Sequence, residues 1–215
     1  MTAQPSRGPL VHDILGRSDY AIIGDIVDPG SKVLDLGCGE GELLAWLVSN
    51  KTVQARGVEL NGPRVQRAIA RGVSVYQGDI EQGLADYPDT AFDYVVLSQT
   101  LQETMRPLNV LREMLRVGRH GIVAFPNFGH WSLRLNLARH GRMPVSALLP
   151  YPWYETPNIH LCTIADFEDL LTQLNLSVDR RVLLDSSGRP ASRSAERRAN
   201  LLAGGAVYRV TAPNP

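Results

Sequence analysis

This sequence predicts an α/β fold, a doubly wound and mostly parallel sheet of seven strands, and three observations carry the prediction. Apolar strand-like runs alternate with amphipathic helical stretches from residue 18 to residue 125. The run Tyr94-Val-Val-Leu is apolar at every position, as a central parallel strand covered on both faces requires. Residues 33–41 read Val-Leu-Asp-Leu-Gly-Cys-Gly-Glu-Gly and lead into Glu42-Leu-Leu-Ala-Trp-Leu. That is a strand, a tight turn, and a helix whose first N–H groups are free to face a ligand.

Each element can be justified in turn. Tyr20, Ile22, Ile23, Ile26 and Val27 recur at helical spacing over 18–27, behind Ser18 as a candidate cap, and Asp28-Pro-Gly ends the helix. Strands are expected at 32–36, 55–60, 73–77, 92–98 and 120–125. Between them fall helices over 42–49, over 63–71 with a proline near the first turn, and over 106–117. Such βαβ units close with right-handed crossovers. After Pro126 the rhythm breaks, and residues 127–158, with Trp131, Trp153, Pro144, Pro150, Pro152 and Pro157, read as a loop-rich insertion over the carboxyl edge of the sheet. One short helix is expected within it, at 132–139. Thr163 before Ala-Asp-Phe-Glu caps a helix over 163–174, and 176–184 and 206–211 supply two closing strands. Residues 186–205, polar and rich in serine and arginine, read as a mobile loop. No internal repeat is present, and residues 1–215 are read as one domain.

Bulk composition narrows the classes. With 215 residues and 44% apolar content the chain can bury a good core. Lysine plus arginine equals aspartate plus glutamate at 22 each, so no overall field draws it to nucleic acid or an anionic membrane. Cys38 and Cys162 are too few for a disulfide framework, residues 1–9 lack an apolar leader core, and no stretch is long enough to span a bilayer. A cytoplasmic location is expected.

The glycine turn selects its ligand by spacing. A dinucleotide fingerprint places its third glycine three residues after the second, where this chain has Glu42. Gly37, Gly39 and Gly41 behind Asp35 resemble instead motif I of class I S-adenosylmethionine (SAM) methyltransferases. Each position can be assigned a task. The methionine carboxylate of SAM suits the helix end after Gly41, where such electrostatics are worth roughly 0.3–1 kcal/mol. Asp35 can hold the methionyl ammonium, and Glu59, 18 residues beyond Gly41, can accept both ribose hydroxyls. Asp79, in Gln-Gly-Asp-Ile, would reach the adenine amino group, and Ser98 and Gln99 end the fourth strand beneath the methyl donor. With Cys38, Leu60 and Ile80 these make up the expected cofactor set. Taken singly, a glycine turn is often only a turn and a strand-terminal aspartate only a cap. Cys38 reads better as a small packing residue than as a nucleophile.

Chemistry beyond binding is less written. Ser98-Gln99-Thr100-Leu101 departs from the Asn/Asp-Pro-Pro-Tyr of enzymes that methylate base amines, so nucleic acid is disfavoured as a substrate. His130 and His160, one on each arm of the insertion, are the candidate general bases. His130 suits a pocket or packing equally, whereas His160, just before a capped helix, suits a structural bond to loop backbone. His12, His120 and His140 read as surface or loop residues. No metal site is expected.

Longer segments carry a more specific resemblance. Gly57-Val-Glu-Leu, Leu97-Ser-Gln-Thr-Leu-Gln, Arg112-Glu-Met-Leu-Arg-Val-Gly, Phe125-Pro-Asn-Phe-Gly-His-Trp, Gly141-Arg-Met-Pro-Val and Tyr154-Glu-Thr-Pro-Asn-Ile-His-Leu-Cys-Thr, together with the glycine turn, resemble the methionine biosynthesis protein MetW family over about residues 15–185. The resemblance implies a Rossmann-like class I methyltransferase fold, SAM or S-adenosylhomocysteine (SAH) as ligand, and a homoserine O-acyltransferase as partner. Two functions stay open. One is an accessory or regulatory subunit acting through the aromatic stretch 131–154; the other is a small-molecule methyltransferase with that stretch as its lid. Tyr151, Trp153 and Tyr154 suit an interface, a lid, or packing onto the sheet edge.

Overall fold

The computed structural model describes residues 18–82 and 84–212, and its centre is one seven-stranded sheet of order β3-β2-β1-β4-β5-β7-β6. In chain order the elements are α1 (Ser18–Ile26), β1 (Lys32–Leu36), α2 (Glu42–Lys51), β2 (Gln54–Glu59), α3 (Gly62–Ala70), β3 (Ser74–Gln77) and β4 (Phe92–Ser98). After a 3₁₀ turn (Leu101–Glu103) come α4 (Pro107–Val117), β5 (Gly118–Pro126), α5 (Trp131–His140), α6 (Ile164–Gln173) and β6 (Ser177–Leu184). Two short helices, α7 (Arg193–Glu196) and α8 (Ala199–Leu202), precede β7 (Gly205–Thr211). The first five strands are parallel, and β7 enters between β5 and β6 antiparallel to both. The doubly wound fold expected from the sequence is the one observed.

Strand periodicity explains the two cores. On β1 and β4, Leu34, Leu36, Val95 and Leu97 face one layer, with Val110, Leu111 and Met114 of α4 and Phe167 and Leu171 of α6. Val33, Tyr94 and Val96 face the other, with Ile22, Ile23 and Ile26 of α1 and Leu43, Leu44 and Leu47 of α2. Each fully buried aliphatic side chain contributes roughly 1.5–3 kcal/mol, and β4 is buried on both faces as its unbroken apolar run requires. The helix starts carry the expected devices. Asn61 Oδ1 accepts from Arg64 N at 3.1 Å ahead of α3, and Thr163 and Asp166 form a reciprocal capping box at α6. The Ser18 side chain and His12 lie outside the described residues.

Three expectations need correction. The segment 186–205 is no open loop: it forms α7 and α8 and buries Ala195, Ala199 and Ala203. It is clamped by Asn127, wholly buried, whose Nδ2 donates to the carbonyls of Ala203 at 2.7 Å and Asn200 at 3.2 Å. Its serines and arginines set its composition, while its alanines and backbone carbonyls do the packing. His120 is no loop histidine; it sits half-buried within β5, stacked on Tyr94 with ring centroids 5.4 Å apart, and its Nδ1 is 3.5 Å from Asp179 Oδ2. Strand limits also move: β5 begins at Gly118 rather than residue 120, because Gly118 pairs with Phe92. No helix among the described residues is long and apolar enough to cross a membrane.

Candidate functional site

Strand order reverses at β1, with β2 and β3 on one side and β4 and β5 on the other. In open α/β sheets the crevice at such a switch point, outside the carboxyl ends of the strands, is where ligands bind. A cavity of about 350 Å³ lies there. Nine of the eleven residues expected to hold a cofactor line it: Gly37, Cys38, Gly39, Glu59, Leu60, Asp79, Ile80, Ser98 and Gln99. Asp35 and Gly41 do not. Asp35 is buried within β1, paired in register with Gly57 and Val96, and Gly41 caps α2 against Ala68.

The turn is held by donors the glycines can aim. Gly37 N and Cys38 N donate to the Val58 carbonyl at 2.8 and 3.1 Å, and Gly39 N donates to Glu59 Oε2 at 2.9 Å. The other carboxylate oxygen, Oε1, accepts from Asn61 N at 2.8 Å. Glu59 thus ties the turn to the end of β2, and two of the roughly four lone-pair sites of its carboxylate remain for another donor. The three turn glycines all have positive φ but differ in surroundings. A Cβ on Gly37 would meet Thr100 Oγ1 at 2.6 Å, one on Gly41 would meet Ala68 Cβ at 2.8 Å, and one on Gly39 would meet nothing within 4 Å. Of the three, Gly39 alone would carry a side chain into open space.

Around the rim the carboxylates are organised locally. Asp79 Oδ1 accepts from Glu81 N at 2.9 Å, so this side chain caps its own turn while lining the cavity. Ser98 Oγ donates to Asp19 Oδ2 at 2.5 Å, which binds the end of β4 to α1. Gln99 holds φ at +55°, a left-handed conformation uncommon outside glycine, and its N–H donates to the Ala124 carbonyl at 2.7 Å. Burial raises the Cys38 thiol well above its ordinary range, with Asp35 and Glu59 adding to the effect; its sulfur packs where a Gly57 side chain would stand. A protonated packing thiol is the physical reading.

Neither candidate base lines the cavity. His130 is buried, caps α5 by accepting from Ser132 N, and lies 2.7 Å from Ser132 Oγ; burial lowers its pKa. His160 is exposed, and its Nε2 stands 3.4 Å from the Met105 carbonyl. The residues that sequence reasoning passed over are Tyr20, Arg64, Gly78, Glu81, Thr100, Glu103 and Thr104, all on this cavity. Gly78 lies within Gln-Gly-Asp-Ile and Thr100 within Leu97-Ser-Gln-Thr-Leu-Gln, with Glu81, Glu103 and Thr104 just after these motifs. A second cavity of about 350 Å³ adjoins the first, shares Gln99 and Glu103 with it, and is walled by parts of 147–158, 184–188 and 204–205.

Comparison with known proteins places these features. The profile of the family described as methionine biosynthesis protein MetW matches residues 17–210. A protein of Rhodopirellula baltica named bifunctional methionine biosynthesis protein MetXA/MetW is 41% identical over 182 residues, 80% of this chain but only 29% of that relative's length. Ajmaline N-methyltransferase of Rauvolfia serpentina is 30% identical over 105 residues, 44% of this chain and 35% of its own. Among solved structures, a SAM-dependent methyltransferase of Mesorhizobium loti superposes with a TM-score of 0.66 at 15% identity, covering 91% of this chain and 98% of its own. The [4+2]-cyclase SpnF does so at 0.64 and 19% identity, covering 92% and 81%. At such identities the likeness is one of fold, and a cyclase beside a methyltransferase illustrates that this fold does not dictate one chemistry.

Proposed function

The chain belongs to the methionine biosynthesis protein MetW family, and from that premise we propose that it binds SAM or SAH in the cleft between β1 and β4 and regulates a homoserine O-acyltransferase in the cytoplasm. One observation carries the ligand half. Gly39, Glu59 and Asp79, on three successive strand ends, surround one cavity at the switch point, and the direction of a Gly39 side chain is empty. Glu59 keeps acceptor capacity for ribose hydroxyls, Asp79 stands for the adenine amine, and the start of α2 suits the methionyl carboxylate. SAM, once bound, would supply an electrophilic methyl group. Asp35, buried behind the turn, would act on the methionyl ammonium through its charge.

The partner half is supported by the Rhodopirellula baltica relative, whose name joins a MetXA unit to a MetW unit. It is also supported by the insertion, which exposes Trp131, Met143, Tyr151, Trp153 and Tyr154, with Trp153 at 74% exposure. Trp153 and Tyr154 stand together, ring centroids 5.7 Å apart, and exposed aromatics of this kind are enriched in interfaces. A second reading, a small-molecule methyltransferase, is favoured by the second cavity beside the first. The absence of both histidines from the cleft lining favours the accessory role over one needing a histidine base.

Titration calorimetry with SAM and SAH tests the ligand, and failure of both to bind at millimolar concentration would sink it. For the partner, the acyltransferase is assayed with and without this chain, wild type and Trp153→Ala. A rate change that the variant loses, while its melting temperature stays put, supports the interface; no complex and no rate change leave the methyltransferase reading ahead.

A further inference from the structure

We infer that the second cavity binds a small molecule bearing a protonated amine on an apolar body and lacking a free carboxylate. This deepens the reading above by naming the ligand class beside the cofactor cleft, with which the cavity shares Gln99 and Glu103. Its volume of about 350 Å³ lies within the range of small-ligand sites. Phe125, Leu148, Pro150 and Tyr151 supply apolar wall, whereas Asp19, Glu103 and Asp185 supply acidic side chains. No lysine, arginine or histidine is present among the described lining residues, while from outside the wall Arg64 acts on Glu103, whose carboxyl burial raises, and Arg189 acts on Asp185. Ser187 and backbone N–H groups hold the Asp185 carboxyl below its usual range, so it carries its charge at neutral pH. A carboxylate entering this space would meet like charges, and an ammonium would meet opposite ones.

Gln102 adds an independent observation. It lines the cavity and is 4% exposed, and its Nε2 donates to the Gln99 carbonyl at 2.9 Å. That bond settles which end of the amide is oxygen, since a carbonyl can only accept. The oxygen, Oε1, is buried and receives no hydrogen bond. A buried acceptor left unpaired is costly, and an N–H brought by a ligand would pair it once the side chain turned that oxygen into the cavity. The same residue anchors the cavity wall, because its backbone carbonyl accepts from Ile159 N at 2.8 Å and His160 N at 3.0 Å.

Three probes of similar shape test the inference by calorimetry on the full chain, without and then with SAH: 2-phenylethylamine, 2-phenylethanol and 3-phenylpropionate. The amine should bind at least about tenfold tighter than the alcohol, the scale of one charge-assisted hydrogen bond, and the acid should not bind. Ala147→Trp, at a residue that lines only this cavity, should abolish amine binding and keep SAH binding. Leu148→Arg, which brings a cation into the wall, should erase the preference for amine over acid. Equal binding of all three probes, tighter binding of the acid, or amine binding untouched by both variants would overturn the inference. SAH binding without amine binding would overturn it while sparing the cofactor reading, and the reverse result would do the opposite.

Discussion

Replacing Gly39 by valine should destroy SAH binding at little cost to the fold, and Gly41→Ala should do the reverse. Both glycines are left-handed, at φ +57° and +73°, so either substitution carries the backbone cost of a side chain there, about 1–2 kcal/mol. For Gly39→Val nothing further is added, because no atom lies within 4 Å of the new Cβ. In a chain of this size that corresponds to a fall in Tm of roughly 2–8 °C. At Gly41 the Cβ would stand 2.8 Å from Ala68 Cβ and 3.2 Å from Ala68 Cα, between α2 and α3. Overpacking of this kind adds about 1–3 kcal/mol, for a total of about 2–5 kcal/mol and a drop of roughly 4–20 °C. The empty space at Gly39 is the proposed path of the ligand, so its Kd for SAH should rise by at least about a hundredfold, ~2.7 kcal/mol. Thermal melts and titration calorimetry on both variants read the two effects separately. Unchanged SAH affinity in Gly39→Val, or a melt as low as that of Gly41→Ala, would refute the division of roles.

Glu59→Gln should keep one acceptor but present an NH₂ to an N–H donor of Gly39 or Asn61; a loss of about 1–3 kcal/mol in urea unfolding is expected, together with weaker SAH binding by calorimetry. Asn127→Ala removes a buried amide that donates to Ala203 and Asn200 and accepts from Gly129 N at 2.9 Å and Ile164 N at 3.3 Å. Stability should fall by about 2–5 kcal/mol, and hydrogen exchange should quicken across α7, α8 and the start of α6. Alkaline titration should leave stability flat to about pH 9 and then reduce it. Burial raises Cys162 from 9.0 to about 11, and burial with the Asp28 hydrogen bond raises Tyr94 from 10.0 to about 12. The folded state therefore holds these protons longer than the unfolded chain, and the stability they confer is lost as pH climbs through those windows. Urea midpoints at successive pH values check this, and Cys162→Ala should make the fall between pH 9 and 11 shallower, with Cys38, whose thiol burial also raises, supplying the remainder.

Much of the cleft was legible because its parts are local. The β1 strand, the glycine turn and the start of α2 are contiguous, and Glu59 and Asp79 follow at strand ends that apolar periodicity marks. Tyr20 and Arg64 were not legible, since α1 and α3 meet the cleft only through the crossovers of the sheet. His130 differs, its cause being local: in the sequence it stands beside an aromatic in a glycine turn, as a pocket residue would, yet the N–H of Ser132 two residues on claims it as a cap. Composition misled at 186–205, where burial is done by alanines and by carbonyls that Asn127 reaches from 73 and 76 residues away.

The sequence by itself determined the alternating sheet, the SAM-type spacing of Gly37, Gly39 and Gly41, and membership of a methionine-biosynthesis family, because periodicity, turn geometry and motif are properties of neighbouring residues. Tertiary structure decided what each glycine is for. Positive φ is common to all three, but Thr100, Ala68 and open space stand beyond them in turn. Tertiary structure also made the second cavity, whose walls come from α1, the end of β5, the insertion and the approach to β7. Side chains that far apart in the chain share a site only once the sheet has closed around them.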